Sequence, residues 1–260
     1  MGTKLSCRTL WISDVHLGNK SCHAEALLKF LSCVQCEKLY LVGDIVDMWA
    51  MKQKVHWPES HTHILKKIHQ LSHDNVEVIY IPGNHDSALL NFQAGSLLGV
   101  DLRKKDIHTT KQGKRLLVVH GDQFDGAVIY RTVIRLIGDS AYKAMVKFNN
   151  GLHFIRRWLG LPYWSLATYL KENISQARSA IEAYEQAAVE AVKRAGLDGI
   201  VCGHIHKPAY KTVDDVIYCN DGDWTESCSA MIECRSGELA LLDWPDIRQL
   251  LEAPRVAQAA

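Results

Sequence analysis

Carboxylates, histidines and an asparagine follow short apolar runs at five places along this chain. The motifs are Asp14-x-His16, Gly43-Asp44-x-x-Asp47, Gly83-Asn84-His85-Asp86, His120-Gly121-Asp122 and Gly203-His204-x-His206. Polar residues that come directly after strands can converge on one edge of a sheet although they lie far apart in the sequence. Mixed oxygen and nitrogen ligands suit divalent cations such as Mn²⁺, Fe²⁺ and Zn²⁺, and an anionic carboxylate between two ions offsets their repulsion. The pattern predicts a dinuclear metal site, with Asp44 as the bridging candidate.

The elements that must position these motifs alternate between strands and helices. In the first half, hydrophobic periodicity predicts strands over Arg8–Ser13, Lys38–Val42, Val76–Ile81 and Arg115–Val119, and helices over His23–Gln35 and Glu59–Ser72. Towards the end of the chain it predicts strands over Gly199–Cys202, Tyr210–Thr212, Ile217–Cys219, Ala230–Cys234 and Leu239–Leu242. The alternation indicates a layered α/β fold whose sheet is completed from both ends of the chain.

Residues 127–195 form a long and largely helical stretch between these two groups of strands. We expect residues 1–126 and 196–250 to form the catalytic core, with 127–195 as a helical insertion within a single domain overall. The insertion interleaves aromatic residues with basic ones. It could cap the site, with apolar side chains accepting acyl chains and arginines meeting phosphates, or its aromatics could simply pack it onto the core. The candidate substrate-binding residues are Arg131, Arg135, Arg156 and Arg157.

Composition limits the partners of this chain. Of its 260 residues, 30 are Lys or Arg and 29 are Asp or Glu, so the formal charge of +1 creates no global field that would attract a nucleic acid polymer. The first ten residues contain no sustained apolar run, and no stretch elsewhere approaches the roughly 18 apolar residues of a spanning helix, so we expect neither export nor a membrane span. The eight cysteines, including the Cys33-x-x-Cys36 pair, are expected to be reduced and structural. A cytoplasmic protein is therefore expected.

In order and context the five motifs resemble the calcineurin-like metallophosphoesterases. The resemblance implies a layered β-sandwich flanked by helices, with a helical cap insertion. It also implies that one ion is held by Asp14, His16, Asp44 and His206, and the second by Asp44, Asn84, His120 and His204. Mn²⁺ is the expected ion, with Fe²⁺ or Zn²⁺ as alternatives. Two such ions can activate a water for attack on phosphorus and stabilise charge on the phosphoryl oxygens.

Three further motif residues carry expected roles near the metals. By the same resemblance, His85 would point at the leaving group and donate a proton or hydrogen bond to the departing oxygen. Asp86 could orient that imidazole or cap the helix that follows, and both roles stay open. Asp47 could tune a ligand through the second coordination sphere or start a helix. The histidines outside the motifs are expected to be solvated or structural: His56, His61, His63, His69, His73, His108 and His153.

A narrower resemblance concerns the substrate. Chain length, the late helical insertion, and the segments 203–208 and 222–226 resemble the UDP-2,3-diacylglucosamine pyrophosphatase group of lipid A biosynthesis. This implies hydrolysis of a nucleotide-linked lipid to UMP and 2,3-diacylglucosamine 1-phosphate, peripherally at the cytoplasmic face of the inner membrane. The best-known members carry Arg where this chain has His85. The alternatives are a phosphodiesterase or phosphomonoesterase for a soluble nucleotide or another phospholipid intermediate, and a non-catalytic metal-binding scaffold.

Overall fold

Thirteen strands and five α-helices are present in the residues that the computed structural model describes, which are 5–91, 96–97, 99–126 and 175–252. The strands are β1 (Leu5–Ile12), β2 (Val34–Gln35), β3 (Lys38–Leu41), β4 (Glu77–Tyr80), β5 (Ser96–Leu97), β6 (Val100–Leu102), β7 (Asp106–Thr109), β8 (Arg115–Val118), β9 (Gly199–Cys202), β10 (Ala209–Val213), β11 (Val216–Asn220), β12 (Ala230–Cys234) and β13 (Leu239–Leu242). The helices are α1 (Ala24–Cys33), α2 (Met48–Gln53), α3 (Glu59–His73), α4 (Ser175–Ala195) and α5 (Trp244–Glu252).

The strands form two sheets. The first has the order β13-β12-β1-β3-β4-β6-β5, with β2 paired to β1, and the second has the order β10-β11-β9-β8-β7. Strands β1, β3, β4 and β6 run parallel to one another, as do β11, β9 and β8. The carboxyl ends of the parallel strands in each sheet therefore meet at one edge of that sheet, where the predicted site residues follow.

Successive side chains along the strands join different core clusters, which explains why the two sheets form layers. In β3, Leu39 and Leu41 join one core cluster, while Tyr40 belongs to a second cluster. The second cluster also contains Leu116 of β8 and Val201 of β9, so it takes side chains from both sheets. Successive side chains of a strand point to opposite faces, which places one set between the sheets and the other on the outer face.

The outer face of the first sheet is covered by helices. Phe30 of α1, Ile64 of α3 and Ile247 of α5 belong to the same buried cluster as Leu39. Each helix presents an apolar stripe at helical spacing, which is the pattern that buries one face and leaves the other in water. The structure thus confirms the predicted fold class, an α/β architecture with two sheets and flanking helices.

Most predicted elements of the first and last parts of the chain differ from the observed ones only at their ends. One difference is informative. The helix predicted over His23–Gln35 ends at Cys33, and Val34 and Gln35 are extended. They pair in parallel with Leu5 and Ser6 of β1. Pairing at the sheet edge and burial of Val34 override the helical periodicity.

The chain divides into two compact units, Met1–Asp122 with Val192–Ala260, and Gln123–Ala191. Both sheets lie in the first unit. Within the second unit, the ring of Phe124 meets that of Tyr184 edge-on at 5.7 Å. The predicted insertion runs from 127 to 195, and its residues 127–174 lie outside the described residues, so the domain assignment stays a prediction. Every helix in the described ranges is too short or too polar to span a bilayer.

Candidate metal centre

Five of the seven predicted metal ligands have an unusual backbone conformation. They have positive φ angles: Asp14 (50°), His16 (54°), Asp44 (53°), His204 (69°) and His206 (51°). A residue with a Cβ in this left-handed region costs roughly 1–3 kcal/mol, so it persists only where the surrounding structure holds it. Such outliers concentrate at functional sites. Their shared location after strands β1, β3 and β9 points to one site.

Backbone hydrogen bonds hold these loops against one another. Asp14 N donates to Gly43 O at 3.0 Å, and His16 N donates to Asp44 O at 2.9 Å. Across the other sheet, Gly203 N donates to His120 O at 3.0 Å. The loops after neighbouring strands are thereby joined in pairs, and the strain of the left-handed residues is distributed over a fixed framework.

The glycines of the motifs leave room for the site side chains. A Cβ on Gly83 would approach Asp44 Oδ1 and would lie 2.6 Å from His120 Nε2. A Cβ on Gly203 would collide with Ser13 and Asp14. Real Cβ atoms essentially never approach other heavy atoms closer than 3.0 Å. Glycine is needed at both positions because the backbone runs directly against the predicted ligands.

The predicted ligands gather in two clusters, and a third group adjoins them. In each group the ligand atoms lie within 4.8 Å of one another: Asp14, His16 and His206; Asp44, His120 and His204; His16, Asp47 and His85. His206 Nε2 lies 3.0 Å from Asp14 Oδ1. His120 Nε2 lies 3.4 Å from Asp44 Oδ2, and His16 Nε2 lies 3.9 Å from the same oxygen. Asp44 therefore lies between the two clusters.

Asn84 belongs beside the second cluster. Its neighbour Gly83 packs against Asp44 and His120, and its other neighbour, His85, donates its backbone N–H to Asp44 Oδ1 at 2.8 Å. The Asn84 Oδ1 atom is buried and has no hydrogen-bond partner among the described residues. A buried amide oxygen thus follows β4 beside two residues that contact the second cluster.

The chemistry of the donor set fits divalent cations. In the described part of the chain, His16 Nε2 and His120 Nε2 are also buried without a hydrogen-bond partner. Buried polar atoms are rarely left unsatisfied, and an unsatisfied one needs an explanation such as an ion. Imidazole nitrogens and carboxylate oxygens are ligands for Mn²⁺, Fe²⁺ and Zn²⁺. The cluster is therefore suited to metal binding.

Electrostatics support the same conclusion. Burial lowers the pKa of His16, but the neighbouring carboxylates of Asp14 and Asp47 outweigh burial and raise that pKa to about 10. Burial likewise lowers the pKa of His120, yet the negative charge of Asp44 raises it well above its ordinary value. Burial would raise the pKa of Asp44, and the charge of His120 lowers it. The carboxylates thus create a buried negative potential that takes up positive charge, as protons or as cations.

Asp47, and not Asp86, contacts the imidazole of His85. The carboxylate bonded to the imidazole of His85 is that of Asp47, with its Oδ1 at 2.8 Å from Nδ1. Asp86 instead accepts hydrogen bonds from Gly83 N at 2.6 Å and from Ile45 N at 2.8 Å. Asp86 therefore ties the loop after β4 to the loop after β3, and among the described residues its side chain neither contacts the imidazole of His85 nor caps a helix.

Asp47 also caps α2 and contacts the imidazole of His16. Its Oδ1 accepts from Ala50 N at 2.8 Å, which caps the start of α2. Its Oδ2 lies 3.3 Å from His16 Nδ1, on the imidazole nitrogen opposite the cluster. A carboxylate on the second nitrogen of a ligating histidine fixes the tautomer and the ring orientation.

Several polar residues that were not among the predicted site residues lie around the clusters. Ser13 Oγ lies 2.6 Å from Asp14 Oδ2 and 2.7 Å from Asp221 Oδ1, so it hydrogen-bonds both carboxyl groups. Asp223 lies 3.9 Å from His206 Nδ1. Burial raises the pKa of Asp221 well above its ordinary value. The available signal was the position of these residues, since Asp221 and Asp223 directly follow a buried strand just as the motif residues do.

Four histidines outside the motifs make contacts away from the clusters. His61 Nδ1 accepts from Gly18 N at 3.0 Å. His108 Nε2 lies 3.0 Å from the buried carboxylate of Glu233. His69 and His73 face one another along α3 with their Nε2 atoms 3.2 Å apart. His153 and the four predicted substrate-binding arginines lie outside the described residues: Arg131, Arg135, Arg156 and Arg157.

Comparison with known proteins gives a consistent result. The profile of the family described as calcineurin-like phosphoesterase matches residues 7–208. The UDP-2,3-diacylglucosamine hydrolase of Blochmanniella pennsylvanica is 24% identical over 212 residues, covering 77% of this chain and 79% of the relative. The protein of the same name from Neisseria meningitidis serogroup B is 26% identical over 238 residues, covering 85% and 92%. A solved phosphoesterase from E. coli is 14% identical, covering 90% and 97%, with a TM-score of 0.43.

The family match includes all five motifs and more than half of the chain. It begins in β1, before Asp14, and ends at 208, just beyond His206. The clusters described above lie within this range, at the loops that follow the parallel strands. The chain therefore belongs to the calcineurin-like phosphoesterase family and is a metal-dependent phosphoester hydrolase.

Proposed function

We propose that this hydrolase cleaves the pyrophosphate of UDP-2,3-diacylglucosamine, releasing UMP and 2,3-diacylglucosamine 1-phosphate. The observation that carries the reaction type is the pair of Asp/His clusters on either side of Asp44, with His85 beside them. The substrate is supported by relatives named for it that align over most of both chains.

In this proposal two divalent cations bind at the clusters. The first is held by Asp14, His16, Asp44 and His206, and the second by Asp44, Asn84, His120 and His204. The buried unpartnered atoms of His16, Asn84 and His120 support this set. Mn²⁺ is the proposed ion, and Fe²⁺ or Zn²⁺ are alternatives, because this donor set suits all three. When bound, the cations supply Lewis-acid activation of a water and stabilise charge on the phosphoryl oxygens.

The residues of this chain then divide the remaining work. Asp44 links the two clusters, since its carboxylate lies beside both His16 and His120. Asn84 contributes an uncharged oxygen, which limits the negative charge that would repel a phosphate. A water oxygen bonds to phosphorus, the bond from phosphorus to the leaving oxygen breaks, and His85 donates a hydrogen bond or proton to that oxygen.

The proposal extends to the membrane and to the insertion. Residues 1–126 and 196–250 form the catalytic core and 127–195 a helical cap that receives the acyl chains, with its arginines at the phosphates or headgroup. The protein would act peripherally at the cytoplasmic face of the inner membrane. Binding to vesicles that contain anionic lipid, and a preference for acylated over deacylated substrate, test this part. Absence of both would leave the metal centre intact and overturn the membrane proposal.

A second candidate is a phosphodiesterase acting on a soluble nucleotide. It is favoured by one observation, that His85 stands where the best-known members of the lipid A group carry Arg. An imidazole held by Asp47 at 2.8 Å is a compact donor. A guanidinium, by contrast, is a planar fork that binds two phosphate oxygens at once. This difference in phosphate contacts is expected to change the substrate rather than the reaction.

The deciding experiment measures UMP release from UDP-2,3-diacylglucosamine by the purified protein with added Mn²⁺. A chelated sample and Asp44→Asn are the controls. Release that disappears in both controls supports the substrate and the metal site together. Failure on this lipid, with Mn²⁺-dependent cleavage of a soluble phosphodiester intact, would keep the reaction and refute the substrate. A protein inactive on both substrates although it binds Mn²⁺ at two sites would indicate a scaffold.

A further inference from the structure

Trp49, at the start of α2, lies against the imidazole of His85. The two ring centroids are 4.3 Å apart and the planes are inclined by 30°, which is a tilted stack. The Trp49 side chain is nevertheless 48% exposed, so one side of it contacts His85 and the other faces solvent. Tryptophan is usually well buried, and its exposure at the rim of a polar site is unusual.

Besides Trp49, the imidazole of His85 contacts Asp47 and His16. Nδ1 meets Asp47 Oδ1 at 2.8 Å, and the ring lies nearly perpendicular to that of His16, with the centroids 4.8 Å apart. Nε2 is then the nitrogen that faces the clusters, 3.9 Å from Asp44 Oδ2. Asp47 holds Nδ1, and His16 packs against the ring at nearly a right angle. The stack with Trp49 is a third contact and lies against a face of the ring.

One carboxylate couples these parts. Asp47 caps α2 through Ala50 N at 2.8 Å, and α2 carries Trp49. The same Asp47 Oδ1 also meets the His85 imidazole. Asp47 therefore positions both the helix that carries Trp49 and the imidazole of His85. The orientation of Trp49 relative to His85 is fixed by this shared contact.

We propose that Trp49 is a positioning residue, which holds the imidazole of His85 in the orientation where Nε2 reaches the leaving oxygen of the phosphoester. This inference rests on the role of His85 in the proposed function. Without the indole, the imidazole has an open face and can rotate away from the clusters. Given the usual strength of aromatic pairs, removal of the stack is expected to slow leaving-group departure about three- to tenfold.

The test compares two substrates that differ only in leaving group, methyl p-nitrophenyl phosphate and methyl phenyl phosphate. The phenolate needs more help from a hydrogen-bond donor than the nitrophenolate. Trp49→Ala is expected to lower kcat on methyl phenyl phosphate by about three- to tenfold and to change kcat on the nitrophenyl substrate less, with KM and Mn²⁺ affinity unchanged. Trp49→Phe restores most of the loss. In a His85→Asn background, Trp49→Ala has no further effect.

Several outcomes would overturn the inference. A loss of equal size on both substrates, a change in KM alone, or a loss that persists in the His85→Asn background would mean that Trp49 acts independently of His85. If His85→Asn lowers kcat by the same factor on both substrates, the proposed role of His85 is refuted and the inference is refuted with it. If His85→Asn shows that dependence and Trp49→Ala does not, only Trp49 is refuted. Leu65→Ala, at a 38% exposed leucine of α3, is the matched control and should retain wild-type activity.

Discussion

Replacing Gly83 by alanine tests whether the glycines of the motifs exist to admit the metal ligands. The φ angle of Gly83 lies outside the left-handed region, so alanine fits the backbone and the added methyl group is the whole perturbation. That methyl would lie 2.6 Å from His120 Nε2, so the imidazole must move by about 0.4 Å to reach the 3.0 Å that real Cβ contacts keep. Metal-to-ligand distances tolerate about 0.2 Å. The same methyl also displaces Asp44 Oδ1, so two predicted ligands are affected.

We therefore expect Gly83→Ala to weaken Mn²⁺ binding about 10- to 100-fold and to lower phosphodiester hydrolysis by a similar factor. Calorimetric Mn²⁺ titration and initial rates measure the two effects, and thermal unfolding without metal shows that the variant is folded. Gly113→Ala is the matched control. It has a φ of +82° but open space around the added Cβ, so it should reduce stability and leave Mn²⁺ affinity unchanged. Wild-type affinity in Gly83→Ala would refute the steric argument.

Three further predictions concern charge. Asp44→Asn removes the carboxylate between the clusters and should lower Mn²⁺-dependent hydrolysis more than about a hundredfold in initial-rate assays, while the metal-free variant still unfolds cooperatively. The apparent Mn²⁺ affinity of the wild type should rise as the pH is raised from 6.5 towards 10. The reason is that the pKa of His16 is raised from 6.5 to about 10, so its proton competes with the cation over this range. Titrations that show no such rise would contradict this. Glu233→Gln should reduce the free energy of unfolding in urea by about 1.5–3 kcal/mol, since the buried carboxylate accepts from Arg8 at 2.9 Å and meets His108 at 3.0 Å. Burial raises the pKa of Glu233, but its hydrogen bonds lower it below 4.5, so the wild type should lose this stabilisation as pH falls below 4.5 and Glu233→Gln should not show that loss.

Strands β3 and β4 were predictable because each is a short apolar run that is buried on both faces. In β3 and β4 the side chains that face the helices and those that face the other sheet follow one another with period two, and both strands end within one residue of the predicted end. The two-residue strand at Val34 was not predictable in this way. Its backbone is extended because Leu5 and Ser6 of β1 offer hydrogen-bonding partners, and that pairing depends on the assembled sheet.

The sequence by itself determined the family and the reaction type, because the types and order of the motif residues are visible without the fold. A carboxylate, an imidazole or an amide offers the same donor atoms in any conformation of the chain. Which carboxylate meets His85 was decided only in the tertiary structure. Asp86 is its neighbour in sequence, but the loop after β3 brings Asp47 to 2.8 Å of its imidazole and α2 places Trp49 on its face. Contacts between loops depend on how the strands that carry them pack, and sequence spacing carries no information about that distance.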